Sequence, residues 1–189
     1  MFLHLRSISK TAAAVAVLGF ALASGVSAQT DNTHALDKPS GPVPGPIAAS
    51  TFVEKAGKDG LAEVAAGKLA ASSASSAEVR AFGQRMVTDH SKANAELKEI
   101  ATVHKIAVPA SMGPDKQAML DELKGKKGAE FDKAYLQHMS QAHDDAVTLF
   151  TQTAGGNEVP PDLKAFANKT LPVLRSHQDE VKKLNAKHM

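Results

Sequence analysis

The amino-acid sequence predicts an all-α protein: an antiparallel bundle of four long helices, with a short extra helix between the second and the third. Apolar residues recur with the helical period of about 3.6 residues in four segments, each more than twenty residues long. Breaks rich in Gly and Pro separate these segments. No stretch alternates between apolar and polar residues as a half-buried strand does. Long helices joined in this way favour antiparallel packing of neighbours, and we expect an up-down-up-down order.

The first two helices are predicted over about 50–72 and about 76–106. Ala and Gly occupy much of the apolar stripe of the first helix, so the two helices are expected to pack closely. Ser75 and Glu78 predict a capping box at the start of the second helix. The break "VPASMGP" (108–114) ends this helical hairpin.

The short helix is predicted over about 115–124 and ends at "KGKKG" (124–128). The third long helix follows over about 129–154 and the fourth over about 162–187, with "GGNEVPP" (155–161) between them. Pro172 lies inside the fourth helix and predicts a kink near His177, because proline cannot donate to the carbonyl four residues earlier.

The first 28 residues have the pattern of a secretory signal peptide. A basic start with Arg6 and Lys10 precedes an apolar stretch over 11–26, which is shorter than the roughly 20 residues that span a bilayer. Small residues precede a cleavage site after Ala28. We therefore expect a periplasmic or secreted protein with no transmembrane segment after cleavage.

Residues 29–49 predict a flexible linker rich in Pro and Gly, since prolines at 39, 42, 44 and 46 exclude a helix. The bundle domain is then expected over 50–187. Removal of residues 1–28 lowers the 22 Lys and Arg residues to 20, which equals the 20 Asp and Glu residues. This balance, with both signs interspersed, argues against a nucleic-acid partner. The absence of cysteine excludes disulfides and thiolate metal sites.

Four polar residues point inward, one from each long helix, at a similar depth in the bundle, and they form the candidate metal site of the sequence. Their helical phase places them on or near the apolar faces, at roughly 16–24 Å from one end. His104 lies a layer away. One inward ligand from each helix is how bundles bind metal ions, and imidazoles with one carboxylate suit zinc, copper or iron. The four candidates are Glu63, His90, His143 and His177.

Three further residues are predicted to surround these ligands. Asp89 adjoins His90, while Met86 and Met139 stand four residues before His90 and His143. A thioether beside imidazole favours copper among the divalent metals. The opposing interpretation is a polar network without metal, in which Asp89, Asp144 or Glu180 accepts hydrogen bonds from the histidines and the methionines only fill the core.

No catalytic residue is predicted. A di-iron oxidase bundle needs two Glu-x-x-His pairs, and the sequence contains none. We therefore favour a non-catalytic binding or stress-related protein over an enzyme. The alternatives are a metal-dependent redox enzyme and a structural envelope protein without a ligand. The sequence leaves the identity of the metal and the oligomeric state open.

The sequence resembles the exported bacterial proteins of the DUF4142 family over about 50–187. The resemblance rests on the Asp-His of "MVTDHSKAN", the Phe-Asp-x-x-Tyr and His of "FDKAYLQHMSQAH", and the Leu-Pro-x-Leu-x-x-His of "LPVLRSH". It implies a ferritin-like four-helix bundle in the periplasm or at the outer membrane. It also implies a role for Tyr135 beside Glu63, Asp89, His90, His143 and His177.

Overall fold

The structure is a computed structural model that describes residues 47–188. The predicted signal peptide and all but the last three residues of the predicted linker lie outside this range, so both stay predictions. Within the described range no helix combines the length and the apolar character that a bilayer crossing requires.

Five helices and no strand form the described part of the chain, which confirms the all-α prediction. Each predicted helix is present, and the largest boundary difference is at the end of the second, predicted at 106 and observed at Val103. The helices are α1 (Ala49–Ser73), α2 (Ala77–Val103), α3 (Pro114–Lys124), α4 (Gly128–Gly155) and α5 (Pro161–His188).

The turn between α1 and α2 is anchored by a buried carboxylate. The backbone N–H and hydroxyl of Ser75 donate to Asp132 at 2.9 and 2.6 Å, and the backbone N–H of Ser76 donates to it at 2.7 Å. Ser76 is the N-cap of α2, because its hydroxyl accepts a hydrogen bond from the backbone N–H of Val79. The predicted capping box at Ser75 and Glu78 is wrong, because the Ser75 hydroxyl donates to Asp132 and does not cap α2.

All neighbouring long helices run antiparallel. α1 packs against α2 and α4, and α5 packs against α2 and α4. Asp132 places the start of α4 beside the end of α1. At the opposite end of the bundle, His104, directly after α2, contacts Asp162 at the start of α5, with 2.7 Å between Nε2 and Oδ2.

The connection from α2 to α4 runs the length of the bundle and contains α3, which packs on α1 and α4. Consequently the α1–α2 and α4–α5 turns lie at opposite ends. The expected up-down-up-down order is wrong, because the segment over 104–127 is long enough to return to the end of the bundle where α1 finishes. The ferritin-like relationship stays a prediction.

A layer of polar side chains divides the core into two apolar clusters. One cluster surrounds Phe82, Phe131 and Tyr135 near the α1–α2 turn. The other surrounds Phe52, Phe150 and Phe166 toward the other end. α5 continues through Pro172, which is exposed, and the predicted kink stays a prediction.

Candidate metal centre

The polar layer contains the four residues that the sequence predicted as ligands. Glu63, His90, His143 and His177 are only 3, 6, 0 and 0% exposed. The C-termini of α1 and α5 and the N-termini of α2 and α4 lie at the end of the bundle that contains the α1–α2 turn. Counted from these helix ends, the four residues are 10, 13, 15 and 11 residues into their helices. Because each lies near the middle of its helix, they meet in one layer even though the predicted order of the helices was wrong.

The three histidines form a compact cluster. One ring nitrogen from each lies within 4.8 Å of one from each of the others. The ring centroids are 5.3–5.6 Å apart. Two nitrogens bonded to one zinc ion at about 2.0–2.1 Å lie no more than about 4.2 Å apart, so small ring movements would bring this set onto a single ion.

His143 is oriented by its own helix. Its Nδ1 lies 2.9 Å from the backbone carbonyl oxygen of Met139, which can only accept a hydrogen bond. The proton of the neutral ring is therefore on Nδ1, and the lone pair is on Nε2. Nε2 is buried and has no hydrogen-bond partner.

His177 is oriented by a carboxylate on the neighbouring helix α2. Its Nε2 donates to Oδ2 of Asp89 over 2.8 Å, which leaves Nδ1 buried and without a partner. Asp89 also forms an ion pair with Arg85, with 3.4 Å between Arg85 Nε and Asp89 Oδ2. Arg85 also pairs with Glu180 and donates to Ser176 on α5. This network fixes α2 against α5 at the level of the site.

His90 faces the carboxylate of Glu63. Its Nδ1 lies 2.9 Å from Oε2 of Glu63, and its Nε2 is buried without a partner. Oε1 of Glu63 also lacks a hydrogen-bond partner and lies 3.8 Å from Nδ1 of His143. Glu63 thus supports His90 from its Nδ1 side in this arrangement, and its predicted role as a direct ligand stays a prediction.

The pKa values of these side chains show how the site is charged. Burial lowers the pKa of His143, and burial lowers that of His177 to about 4, so both rings are neutral near pH 7. Burial also opposes charge on His90, but the Glu63 carboxylate outweighs burial and raises the His90 pKa. Burial by itself would raise the pKa of Glu63, but the attraction of His90 outweighs this effect and lowers the pKa to about 2. Glu63 therefore favours the protonated form of His90, whereas burial favours the neutral form of the other two imidazoles.

The other predicted neighbours of the site have different roles. Met86 and Met139 are part of the apolar cluster around Phe82, and Met139 contacts His143 through its backbone carbonyl. Tyr135 stacks on Phe131 with 6.0 Å between ring centroids, and its hydroxyl is buried without a partner. Phe82 packs against His143 and His177 at 6.5 and 6.4 Å and forms an apolar wall of the cluster. His104, predicted to lie apart, is at the far end with Asp162.

Three buried imidazoles, each with one nitrogen held by an acceptor and the other without a partner, could form a metal site. Ligating histidines in proteins characteristically donate their second nitrogen to a carboxylate or a backbone carbonyl, which fixes the tautomer. Here the acceptors are Glu63, Asp89 and the carbonyl of Met139. The molecule is thus an all-helical bundle with a buried cluster of three histidines.

The chain belongs to the DUF4142 family, described as a domain of unknown function, whose model matches residues 35–184. This match confirms the family predicted from the motifs. No curated protein and no solved structure matches the chain.

Some residues of the site were not identified from the sequence. Arg85 carries a local signal, since it stands four residues before Asp89 on α2 and reaches it as an i,i+4 pair. Its contacts with Ser176 and Glu180 depend on the packing of α5 and have no local signal. The role of the Met139 carbonyl as an acceptor can be predicted only if the His143 ring is known to donate to the carbonyl four residues earlier in its own helix.

Proposed function

We propose that this protein binds one divalent transition-metal ion, of the zinc or copper class, through His90, His143 and His177. The observation that supports this most directly is a compact cluster of three buried histidines, each of which has one ring nitrogen without a hydrogen-bond partner. Leaving even one buried polar atom unpaired costs about 1–3 kcal/mol, so three in one place favour a ligand that pairs with all of them.

The donor set and its charges suit such an ion. Neutral imidazole is a good ligand for zinc and copper, and no thiolate is available, since the sequence lacks cysteine. The carboxylates of Glu63 and Asp89 stand directly behind two of the rings and supply two negative charges against the two positive charges of the ion. Because imidazole must be neutral to coordinate, binding through Nε2 of His90 requires that this nitrogen carry no proton, while Nδ1 stays with Glu63.

The biological setting that we propose is export, with a non-catalytic binding or stress-related role in the periplasm or outside the cell. The signal-peptide pattern of residues 1–28 supports export. Dependence of the protein on a buried ion would make its stability sensitive to the metal supply of that compartment.

A second candidate is a metal-dependent redox enzyme. One observation favours it: three protein ligands leave a coordination position open, as in catalytic metal sites, whereas structural sites are closed by four. Consumption of oxygen or peroxide by the metal-loaded protein would select this alternative. A structural envelope protein without a ligand is the third candidate.

Elemental analysis of protein purified without a His tag, before and after chelation, tests the proposal. We expect about one zinc or copper ion per chain and its loss from His143→Ala. Metal at 100 times its Kd should stabilise the wild type by about 2.7 kcal/mol, which raises its Tm by about 8 °C, and should not stabilise His143→Ala.

His104→Ala is the matched control, because His104 also pairs with an acidic residue but lies at the far end of the bundle. It should bind metal as the wild type does. If zinc or copper is added to metal-free wild-type protein and the protein gains neither stoichiometric metal nor thermal stability, the metal-binding proposal is wrong. The structural envelope protein without a ligand then remains.

A further inference from the structure

A small cavity adjoins the histidine cluster on the side of Glu63 and His90. Its volume is about 20 Å³, enough for about one water molecule or one bare metal ion. Asp59 and Glu63 line it from successive turns of α1, and Asn94 and His90 line it from successive turns of α2. Each of the two helices thus presents two polar side chains to the cavity, one turn apart.

A glycine on α1 makes room for the Asn94 side chain beside this cavity. A Cβ atom at Gly60, between the two carboxylates on α1, would lie 1.9 Å from Oδ1 of Asn94. Glycine at this position therefore lets the Asn94 amide reach the cavity. On the opposite side, apolar residues such as Leu97, Phe150 and Phe166 close the cavity against the core.

Glu63, which lines the cavity, has a side-chain oxygen without a hydrogen-bond partner. The side chain of Glu63 is 4% exposed, and its Oε1 has no hydrogen-bond partner. A buried carboxylate is costly unless hydrogen bonds or positive charges compensate it, and His90 contacts only its other oxygen, Oε2. The side chains of Glu63, Asp59 and Asn94 thus form a row of oxygen ligands along the cavity that can replace part of the hydration shell of an entering ion.

The outer end of this row reaches the surface. The Asp59 side chain is 27% exposed and is paired with Lys116 of α3, the helix on the crossover connection. Burial raises the pKa of Asp59, against the effect of Lys116. Lys116 thus places a positive charge at the outer end of this row.

We propose that this cavity is the path by which a divalent cation reaches the three histidines. Asp59 and Asn94 take the ion from solvent, Oε1 of Glu63 passes it to His90, and Lys116 swings away from Asp59 to admit it. This inference rests on the proposed function, since it requires that the histidines bind a metal. It adds a transient site of oxygen ligands that precedes the final site of nitrogen ligands.

The test is the rate of Co²⁺ binding to the chelator-treated full chain, followed by visible absorbance after rapid mixing. Asp59→Asn should slow association by about 10-fold, because the attracting charge at the mouth is lost. Release into excess chelator should slow by the same factor, since a residue on the path alters both directions equally and leaves Kd unchanged. Lys116→Met should speed both steps.

Glu78→Gln and Lys187→Met are matched controls. These residues form an exposed ion pair of 2.7 Å between α2 and α5, close to the α1–α2 turn. Both variants should keep wild-type rates. Rates for Asp59→Asn and Lys116→Met equal to those of the controls would overturn the path. So would unchanged association with faster release, which would mean that Asp59 acts only on the bound ion. Failure of the wild type to bind any ion at equilibrium would instead remove the proposed function itself.

Discussion

At the scale of single residues, the site depends on the acceptor that stands behind each imidazole. A free histidine can present either nitrogen, whereas His90, His143 and His177 each have one nitrogen facing a carboxylate or a carbonyl. These contacts set the orientation of all three rings, and in the neutral rings of His143 and His177 they also set the position of the lone pair. This preorganisation reduces the free energy that binding must supply.

Asp89→Ala should weaken metal binding by about 10–100-fold, because His177 loses the acceptor that holds its tautomer and ring orientation. Asp162→Ala is the control, since it removes the acceptor of the His104 pair at the far end. Competition with a chelator of known affinity measures both. An affinity of Asp89→Ala equal to that of Asp162→Ala would show that the pair with His177 does not tune the site.

Helical phase is enough to predict which histidines meet, because each residue turns by about 100° and inward residues follow from the apolar stripe. It does not predict what a side chain does once inside. Met86 and Met139 have the spacing of ligands but belong to an apolar cluster. Glu63 contacts Nδ1 of His90, and the sequence alone does not distinguish this supporting role from the predicted role of a direct ligand, since the difference depends on distances across helices.

At the scale of helices, α1 and α2 approach unusually closely at a pair of glycines. A Cβ atom at Gly67 would lie 2.8 Å from the carbonyl oxygen of Gly83, and a Cβ atom at Gly83 would lie 2.8 Å from that of Gly67. Both contacts are with backbone, which cannot move aside cheaply. This close approach positions α1, and with it Glu63, against α2, and with it His90.

Gly67→Ala should destabilise the protein by about 1–3 kcal/mol through overpacking, although alanine in a helix is ordinarily favoured over glycine by about 0.5–1 kcal/mol. Gly155→Ala is the control, because a Cβ atom there meets no atom within 4 Å. It should be neutral or slightly stabilising. Urea denaturation compares the two variants, and a stabilised Gly67→Ala would contradict the close contact.

The helices themselves are predictable from periodicity and from breaks at Gly and Pro, and each was found within three residues of its predicted ends. The direction of the crossover is not predictable in this way, because the apolar stripes are the same for either order of helices. Long-range contacts decide it: Asp132 with Ser75 at one end, and His104 with Asp162 at the other. These pairs are separated by more than fifty residues and leave no local pattern.

At the scale of the whole molecule, the polar layer joins the two helical hairpins. Its side chains come from α1, α2, α4 and α5, and apolar clusters lie on both sides. Without an ion, His143 and His177 must stay neutral inside a folded core, whereas both protonate freely in the unfolded chain. The metal-free protein therefore carries a defined sensitivity to acid.

The free energy of unfolding of chelator-treated protein should fall as the pH is lowered from about 6.5 to about 4. The pKa of His177 is about 4 in the folded state, against 6.5 for an ordinary histidine. Between these values the unfolded state binds one more proton, so lowering the pH favours unfolding, by up to about 3 kcal/mol. The lowered pKa of His143 acts in the same direction. The raised pKa of His90 contributes stability that is complete below 6.5 and is lost only as the pH rises through its folded value.

Urea denaturation at pH 7, 5.5 and 4.5 measures this dependence, and replacement of the titrating group isolates its origin. His177→Gln should reduce the slope of stability against pH, since glutamine does not titrate. His104→Gln should retain the slope, because His104 is partly exposed at the far end of the bundle. A wild-type stability that stays constant between pH 6.5 and 4.5 would show that the buried imidazoles take up protons without opening the core. An unchanged slope in His177→Gln would assign the acid sensitivity to other groups.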